Sequence, residues 1–365
     1  MVVQDKTFSN KYGNNVVTLV DSTGSIHIHD KSHISSIKSS NKYLDFKSSS
    51  YLSLNKELKV KLEAERVIKE YGLGSYGILT PYHVELEEYI EKIYGENHRI
   101  QTFQNDVRDI LLYSLVHSND FIFIDEHLNA SFKHILKSVI FEKTHLLEFS
   151  HNTPFELESK LEAIQLDYPT ARKFIITEGV FESLGDICHY GDIMKLSEHF
   201  DCVTILDESN ALGVIGKKGL GTYDYHQCRE KADIVFCSMD KTLCSSGQFY
   251  VFNDKAVSIL LENNTTLFDE SIYYPVNVLS AAVAKTVLNI IFEDSTDFKN
   301  INSTTSVHTQ LVKNINYWKK KCQTIGLKFI ESTSAITSII INDSKVESIV
   351  ELLYKNKIKI VIIKK

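Results

Sequence analysis

Two apolar runs that each lead to a charged residue constrain this chain more than any other feature. Thr204-Ile205-Leu206 closes on Asp207, and Ile234-Val235-Phe236-Cys237 leads through Ser238-Met239-Asp240 to Lys241. Uninterrupted apolar runs of this kind read as strands of a parallel sheet covered on both faces. Ligands of open α/β sheets gather beyond the carboxyl ends of such strands, so the acid and the lysine converge where a ligand binds.

With 365 residues and 43% hydrophobic content, the chain can bury one large core with a smaller domain attached. The net charge of -7 and a pI near 6.1 leave no basic footprint, which argues against a nucleic-acid partner. Six cysteines (Cys188, Cys202, Cys228, Cys237, Cys244, Cys322) lack a CxxC pairing and several fall in apolar runs, a pattern of reduced thiols in an intracellular compartment. His27, His29 and His33 lie close together, but in a polar arm, and read as a solvated cluster rather than a metal site. No stretch approaches the roughly 20 apolar residues of a membrane-spanning helix, and the N-terminus lacks the layout of a signal peptide. The expectation is a soluble polypeptide without a transmembrane segment of its own, cytoplasmic on the sequence alone.

An acid and a lysine at strand ends suit pyridoxal phosphate. The lysine amine holds the aldehyde as a Schiff base, and the carboxylate keeps the ring nitrogen protonated. By themselves these two residues leave the ordinary alternative open, a strand-end acid and a solvated lysine. The surrounding wording narrows it. Asp207-Glu208-Ser209-Asn210-Ala211-Leu212-Gly213, Thr177-Glu178-Gly179-Val180-Phe181-Glu182-Ser183-Leu184-Gly185-Asp186, Tyr71-Gly72-Leu73-Gly74-Ser75-Tyr76-Gly77, His83-Val84-Glu85-Leu86-Glu87 and Ser150-His151-Asn152 resemble the α-oxoamine synthase family of pyridoxal phosphate enzymes, in the family's order. Members join an amino acid to an acyl-CoA. The resemblance implies an α/β architecture, the aspartate-aminotransferase-like fold type I. It has a large domain with a mostly parallel central sheet and a small α+β C-terminal domain. The expected divisions are an N-terminal arm over 1–55, a large domain over 56–292 and a shortened small domain over 293–365.

Patterning supplies the elements. Val16 to Val20 is either a short strand or part of a loosely ordered arm, and Tyr43 to Phe46 alternates as a strand. Helices are expected over Asn55 to Glu70, with a buried stripe of Leu58, Leu62, Val67 and Ile68, and over Val84 to Tyr94, with Leu86, Ile90 and Ile93 inside. Strands are expected at Phe121 to Asp125, His145 to Phe149 and Lys173 to Glu178. Helices follow at Pro154 to Ala163, Ile193 to Ser197 and Val278 to Phe292. Beyond these, a helix over Leu311 to Gly326, a strand-like run from Ala335 to Ile341, a helix over Val346 to Lys355 and a final strand from Ile358 complete the small domain.

Several positions depart from the family pattern. Active members place a histidine that stacks on the cofactor ring where Asn129 stands, and His127 reads as a helix-start residue rather than a shifted stacker. They place a second histidine, bonded to the cofactor's phenolic oxygen, where Asn210 stands. Their small-residue phosphate turn is replaced by Thr102-Phe103-Gln104-Asn105-Asp106, whose bulk and acid oppose a dianion. The loop after Gly77 lacks the family's arginine, so a contribution to a neighbouring subunit's site is reduced. No arginine follows the last strand to clamp a substrate carboxylate. Asp207, Lys241 and Ser238 survive, Ser238 at the position of a phosphate-contacting hydroxyl.

Asp207-Glu208-Ser209 and Met239-Asp240 with Thr242-Leu243-Cys244-Ser245-Ser246-Gly247 resemble the non-catalytic, long-chain-base-1-type subunit of serine palmitoyltransferase. That subunit characteristically lacks the lysine present here as Lys241. The resemblance implies a heterodimer with a catalytic, pyridoxal phosphate-binding homologue, which condenses L-serine with palmitoyl-CoA to 3-ketodihydrosphingosine on the cytosolic face of the endoplasmic reticulum. Two alternatives stay open: a stand-alone α-oxoamine synthase or aminotransferase-like enzyme using Lys241, and a non-enzymatic scaffold. A cofactor bound by this chain itself is in doubt on the same substitutions.

Overall fold

The computed structural model describes residues 16–20, 26–30, 44–45, 48–74, 77–95, 98–139, 144–263, 265–269, 274–292, 307–341, 343–356 and 358–360. Strands β1 (Val16–Val20) and β2 (Ile26–Asp30) form an antiparallel hairpin, so the first apolar run is a strand. Strand β3 (Leu44–Asp45) pairs in parallel with β11 (Ile358–Lys359). Tyr43 and Phe46, also expected in β3, lie outside the described residues, as does His33.

The centre is a sheet of seven strands: β4 (Arg99–Phe103), β5 (Phe121–Asp125), β6 (His145–Phe149), β7 (Lys173–Glu178), β8 (Cys202–Asp207), β9 (Ile234–Ser238) and β10 (Gln248–Phe252). Their order is β4-β10-β9-β8-β7-β5-β6. Only β10 runs against its neighbours. Strands β5, β7 and β8 are buried along their whole length, as their unbroken apolar runs require.

Alternation splits those runs between two cores. Phe121, Phe123, Ile175, Leu206, Val235 and Cys237 point into one; Ile122, Ile124, Ile176, Ile205, Ile234 and Phe236 point into the other. Helices α1 (Leu58–Tyr71), α2 (Pro81–Tyr94), α6 (Tyr190–His199) and α9 (Val278–Ile291) contribute to the first core. The second is covered by α3 (Arg108–Leu115), α4 (Ala130–Val139) and α8 (Asp254–Glu262). Helix α9 is buried nearly all round, which matches its almost uniformly apolar sequence, and packs on α1 and α2. Helix α5 (Pro154–Asp167) runs a turn longer than expected; α7 (Thr222–His226) is one short turn. Helices α10 (Val307–Thr324) and α11 (Asp343–Lys355) follow the sheet.

Two expectations are corrected. On α1 the buried residues are Val60 and Val67, whereas Leu58 is 64% and Leu62 56% exposed and Ile68 is also exposed. Apolar residues populate two faces of this helix, and α9 covers only one. The run from Ala335 to Ile341 forms no strand; it makes a single antiparallel bridge, Phe329 to Ile339. Its segment instead clamps the turn after β7: the hydroxyls of Ser332 and Ser334 both donate to the Gly185 carbonyl. All six cysteines are free thiols. Among the described residues no group of histidine, cysteine or acidic side chains is arranged to hold a metal, and no helix is long and apolar enough to cross a membrane.

Candidate functional site

Parallel pairing sets the site. Glu178 at the end of β7 is level with Asp207 at the end of β8, and Asp207 is level with Phe236, two residues before Ser238. Asp207 accepts the Ser209 amide at 2.8 Å, and the Ser209 hydroxyl accepts the Ser238 amide at 2.8 Å, so the two strand ends are tied together. Two buried carboxyls side by side oppose each other's ionisation. Burial, reinforced by the charge of Asp207, holds the Glu178 carboxyl well above the usual carboxylate range.

Lys241 sits in the turn between β9 and β10, where the Met239 amide donates to Gly247 and the Ser245 amide donates to Met239. Its side chain, only 13% exposed, points back over the strand ends. The ammonium donates to the Asn210 amide oxygen at 2.9 Å and forms an ion pair with Glu182 at 3.3 Å. Tyr51, before α1, donates its hydroxyl to the same Asn210 oxygen at 2.7 Å. Burial works against the Lys241 charge, but Glu182, Tyr51, Asp207 and Glu178 outweigh it and raise the amine above its ordinary range. Burial likewise pushes the Tyr51 phenol up to about 12.

Asn129 completes the arrangement. Its side-chain nitrogen donates to the Glu182 oxygen that faces Lys241, at 2.7 Å. Its own oxygen accepts the Ser131 amide at 2.8 Å, capping α4. Its backbone amide donates to Glu178 at 2.6 Å, and the Glu182 amide donates to the other Glu178 oxygen at 3.1 Å. The structure therefore joins Asn129 to Lys241 through Glu182, and Asn210 to Lys241 directly. Sequence reasoning singled out Lys241, Asn210 and Asn129 as site residues and assigned no role to Glu182, Glu178 or Tyr51, although the two acids belong to the 177–186 motif. The available signal was the carboxylate pair Glu178 and Glu182 flanking a glycine turn that enters the same sheet edge as Lys241.

The remaining candidates have partners of their own. The Ser238 hydroxyl donates to Asp240 at 2.5 Å. In the Thr102 to Asp106 segment, Gln104 accepts both the backbone and the side-chain nitrogen of Asn277, at 2.9 and 2.8 Å. Asp106 is gripped by Arg108 through both carboxylate oxygens, and Arg108 also donates to Ser131 at 2.9 Å. Burial opposes the Asp106 charge, but Arg108 keeps its carboxyl below the usual range. His127 is half-buried rather than exposed, edge-on to His151 with centroids 4.6 Å apart.

His151 is held between two acids, Asp125 at 2.8 Å and Asp186 at 2.7 Å. Burial disfavours its charge, yet the two carboxylates raise its pKa to about 9. Neighbouring Asn152 donates to Asp186 and to the Ile187 carbonyl. The pair thus fixes the glycine turn to the end of β5.

The family resemblance implies pyridoxal phosphate at this edge, and the donor set can be tested against it. Asp207 and Lys241 have the required types. The rest does not fit the group. Asn129 offers no aromatic face, and its amide is tied to Glu182. The oxygen of Asn210 is taken by Lys241 and Tyr51. Towards the phosphate end the Ser238 hydroxyl is turned to Asp240, and the nearby guanidinium of Arg108 is committed to Asp106 and Ser131.

The family model for class I and II aminotransferases matches residues 41–364. A serine palmitoyltransferase of Sphingobacterium spiritivorum is 27% identical over 312 residues, covering 83% of this chain and 72% of that protein. An 8-amino-7-oxononanoate synthase of Lysinibacillus sphaericus is 27% identical over 315 residues, covering 83% of this chain and 75% of that protein. Among solved structures, a Sphingomonas wittichii serine palmitoyltransferase superposes with a TM-score of 0.76 at 17% identity, covering 97% of this chain and 85% of the other.

Proposed function

Because the chain belongs to the class I and II aminotransferase family, in its α-oxoamine synthase branch, we propose that it serves as the non-catalytic subunit of a serine palmitoyltransferase. Members of the α-oxoamine synthase branch are pyridoxal phosphate-dependent acyltransferases. In the proposed complex a homologous, lysine-bearing partner binds the cofactor, L-serine and palmitoyl-CoA and forms 3-ketodihydrosphingosine, in sphingolipid biosynthesis on the cytosolic face of the endoplasmic reticulum. One observation carries the reading: the surviving lysine is paired with Glu182 and Asn210, within a network that also ties up Asn129. A family in which sites form between protomers can lose one site and keep the interface, since folding needs the interface and not the chemistry.

The surface supports a partner. Leu58 and Leu62 on α1, and Ile78, Leu79 and Val84 at the start of α2, are exposed large apolar side chains. Leu79, Thr80, Pro81, Val84 and Glu85 line a shallow depression there. Apolar surface of this kind is characteristic of association faces.

The second reading, a stand-alone enzyme of the same family, is favoured by the survival of Asp207 and Lys241 at converging strand ends. Co-expression with the catalytic homologue separates the two. The proposal expects the chain to co-purify with that homologue, to raise serine palmitoyltransferase activity in the mixture and to show none alone. Turnover of L-serine and palmitoyl-CoA by the isolated chain contradicts it.

A further inference from the structure

We infer that Glu182 closes the ancestral cofactor site from within: its carboxylate stands between the Lys241 ammonium and the Asn129 amide and excludes an aldehyde from the lysine. This deepens the proposal above and rests on its reading of the chain as non-catalytic. The geometry is specific. One oxygen of Glu182 accepts Asn129 at 2.7 Å and faces the Lys241 nitrogen at 3.3 Å, on the side of the lysine that looks towards the position of the missing ring-stacking residue. Asn210 takes the ammonium from a second direction at 2.9 Å.

Condensation with an aldehyde requires the lone pair of a neutral amine and expels water. An ammonium held by a carboxylate and an amide oxygen has no lone pair to give.

Glu182 is itself fixed rather than flexible. Its amide is anchored on Glu178 at 3.1 Å, and the Gly185 carbonyl, in the same turn, receives the Ser332 and Ser334 hydroxyls. Gly185 is in the left-handed region (φ 77°), and a Cβ there lies 2.6 Å from the Ile336 carbonyl, so the turn has little room to swing away. Residues from four separate segments, Tyr51, Asn129, Glu182 and Asn210, surround one lysine. The cluster acts as an internal strut in which Lys241 is the central cation.

The test uses the full chain with pyridoxal 5'-phosphate as the probe. The protein is incubated with the aldehyde, the adduct is fixed with borohydride as hydride donor, and labelling at Lys241 is read by peptide mass mapping against exposed lysines of the same digest. Wild type, Glu182→Ala and Glu182→Gln are compared, with circular dichroism melts confirming that each is folded. Glu182→Gln keeps an acceptor for Asn129, so the strut survives in at least that variant.

Removing an opposite charge at this distance lowers an amine's pKa by roughly one unit or more, so labelling at Lys241 is expected to rise at least about tenfold in both variants. Wild type is expected to show no labelling at Lys241 above the exposed reference. Labelling of Lys241 in wild type that exceeds the exposed reference and equals that of the variants overturns the inference and the non-catalytic reading together. No labelling in wild type or in either variant overturns the role of Glu182 and leaves the non-catalytic reading standing.

Discussion

Asn129 and Lys241, far apart in sequence and on different edges of the site, donate to the same oxygen of Glu182, at 2.7 and 3.3 Å. Asn129 has a second task, since its oxygen caps α4 through the Ser131 amide. Asn129→Ala is therefore expected to cost about 1 kcal/mol from the lost cap, with a further increment from the lost Glu182 hydrogen bond. Urea unfolding checks this. Asn129→Asp is expected to restore the cap but not the Glu182 contact, because two carboxylates then face each other.

His151 between Asp125 and Asp186 makes stability depend on pH. Burial works against its charge, and the two acids raise the folded pKa from 6.5 to about 9. A group whose pKa is raised on folding stabilises the native state fully below its unfolded pKa and loses that contribution as pH rises through the folded value. The difference in unfolding free energy between wild type and His151→Gln is expected to be on the order of 2 to 3 kcal/mol near pH 6 and to shrink progressively towards pH 10. Unfolding curves at several pH values test the sign; a difference that grows with pH contradicts it.

Gly185 meets two constraints at once. Its φ of 77° is left-handed, and an added Cβ comes within 2.6 Å of the Ile336 carbonyl and 2.8 Å of the Ile336 side chain. Gly185→Ala is expected to destabilise by roughly 1–3 kcal/mol, seen as a lower thermal midpoint.

The exposed apolar surface proposed to face a partner gives a prediction that separates binding from folding. Leu62 and Leu79 are 56% and 60% exposed on this chain, so Leu62→Glu and Leu79→Glu are expected to leave its unfolding free energy within about 0.5 kcal/mol. Each is expected to weaken association with the catalytic homologue by at least about tenfold, since roughly 1.5 kcal/mol follows from one leucine left unburied. Analytical ultracentrifugation of the mixed proteins reads the outcome.

Much of the central sheet was legible in the sequence because its strands are buried on both faces. The runs around Phe123, Ile175 and Ile205 are broken at most by one small hydroxyl, Thr204, and such runs fit few other elements. The stripe on α1 was misjudged because Leu58 and Leu62 fall on a different face from Val60 and Val67, and periodicity cannot say which face meets α9. The run from Ala335 to Ile341 is rich in β-branched residues like a strand, yet it finds only the Phe329 bridge, and the neighbouring serines Ser332 and Ser334 bond the Gly185 carbonyl. At the site, Asp207, Lys241, Asn129 and Asn210 were readable as positions of one pattern. Glu182 was not. A carboxylate in a turn reads as a solvated charge, and its meeting with a lysine 59 residues later depends on which strands lie side by side.

On the proposed function, Lys241 is a structural cation and not a cofactor-binding amine. Lys241→Arg keeps the positive charge for Glu182 and Asn210 while removing the amine, so the test is serine palmitoyltransferase activity of the complex carrying that substitution in this chain. Activity within about twofold of wild type is expected, together with loss of activity when the catalytic homologue's own cofactor-binding lysine is replaced. Loss of activity from Lys241→Arg in this chain, with the complex still assembled, contradicts a structural role for this lysine.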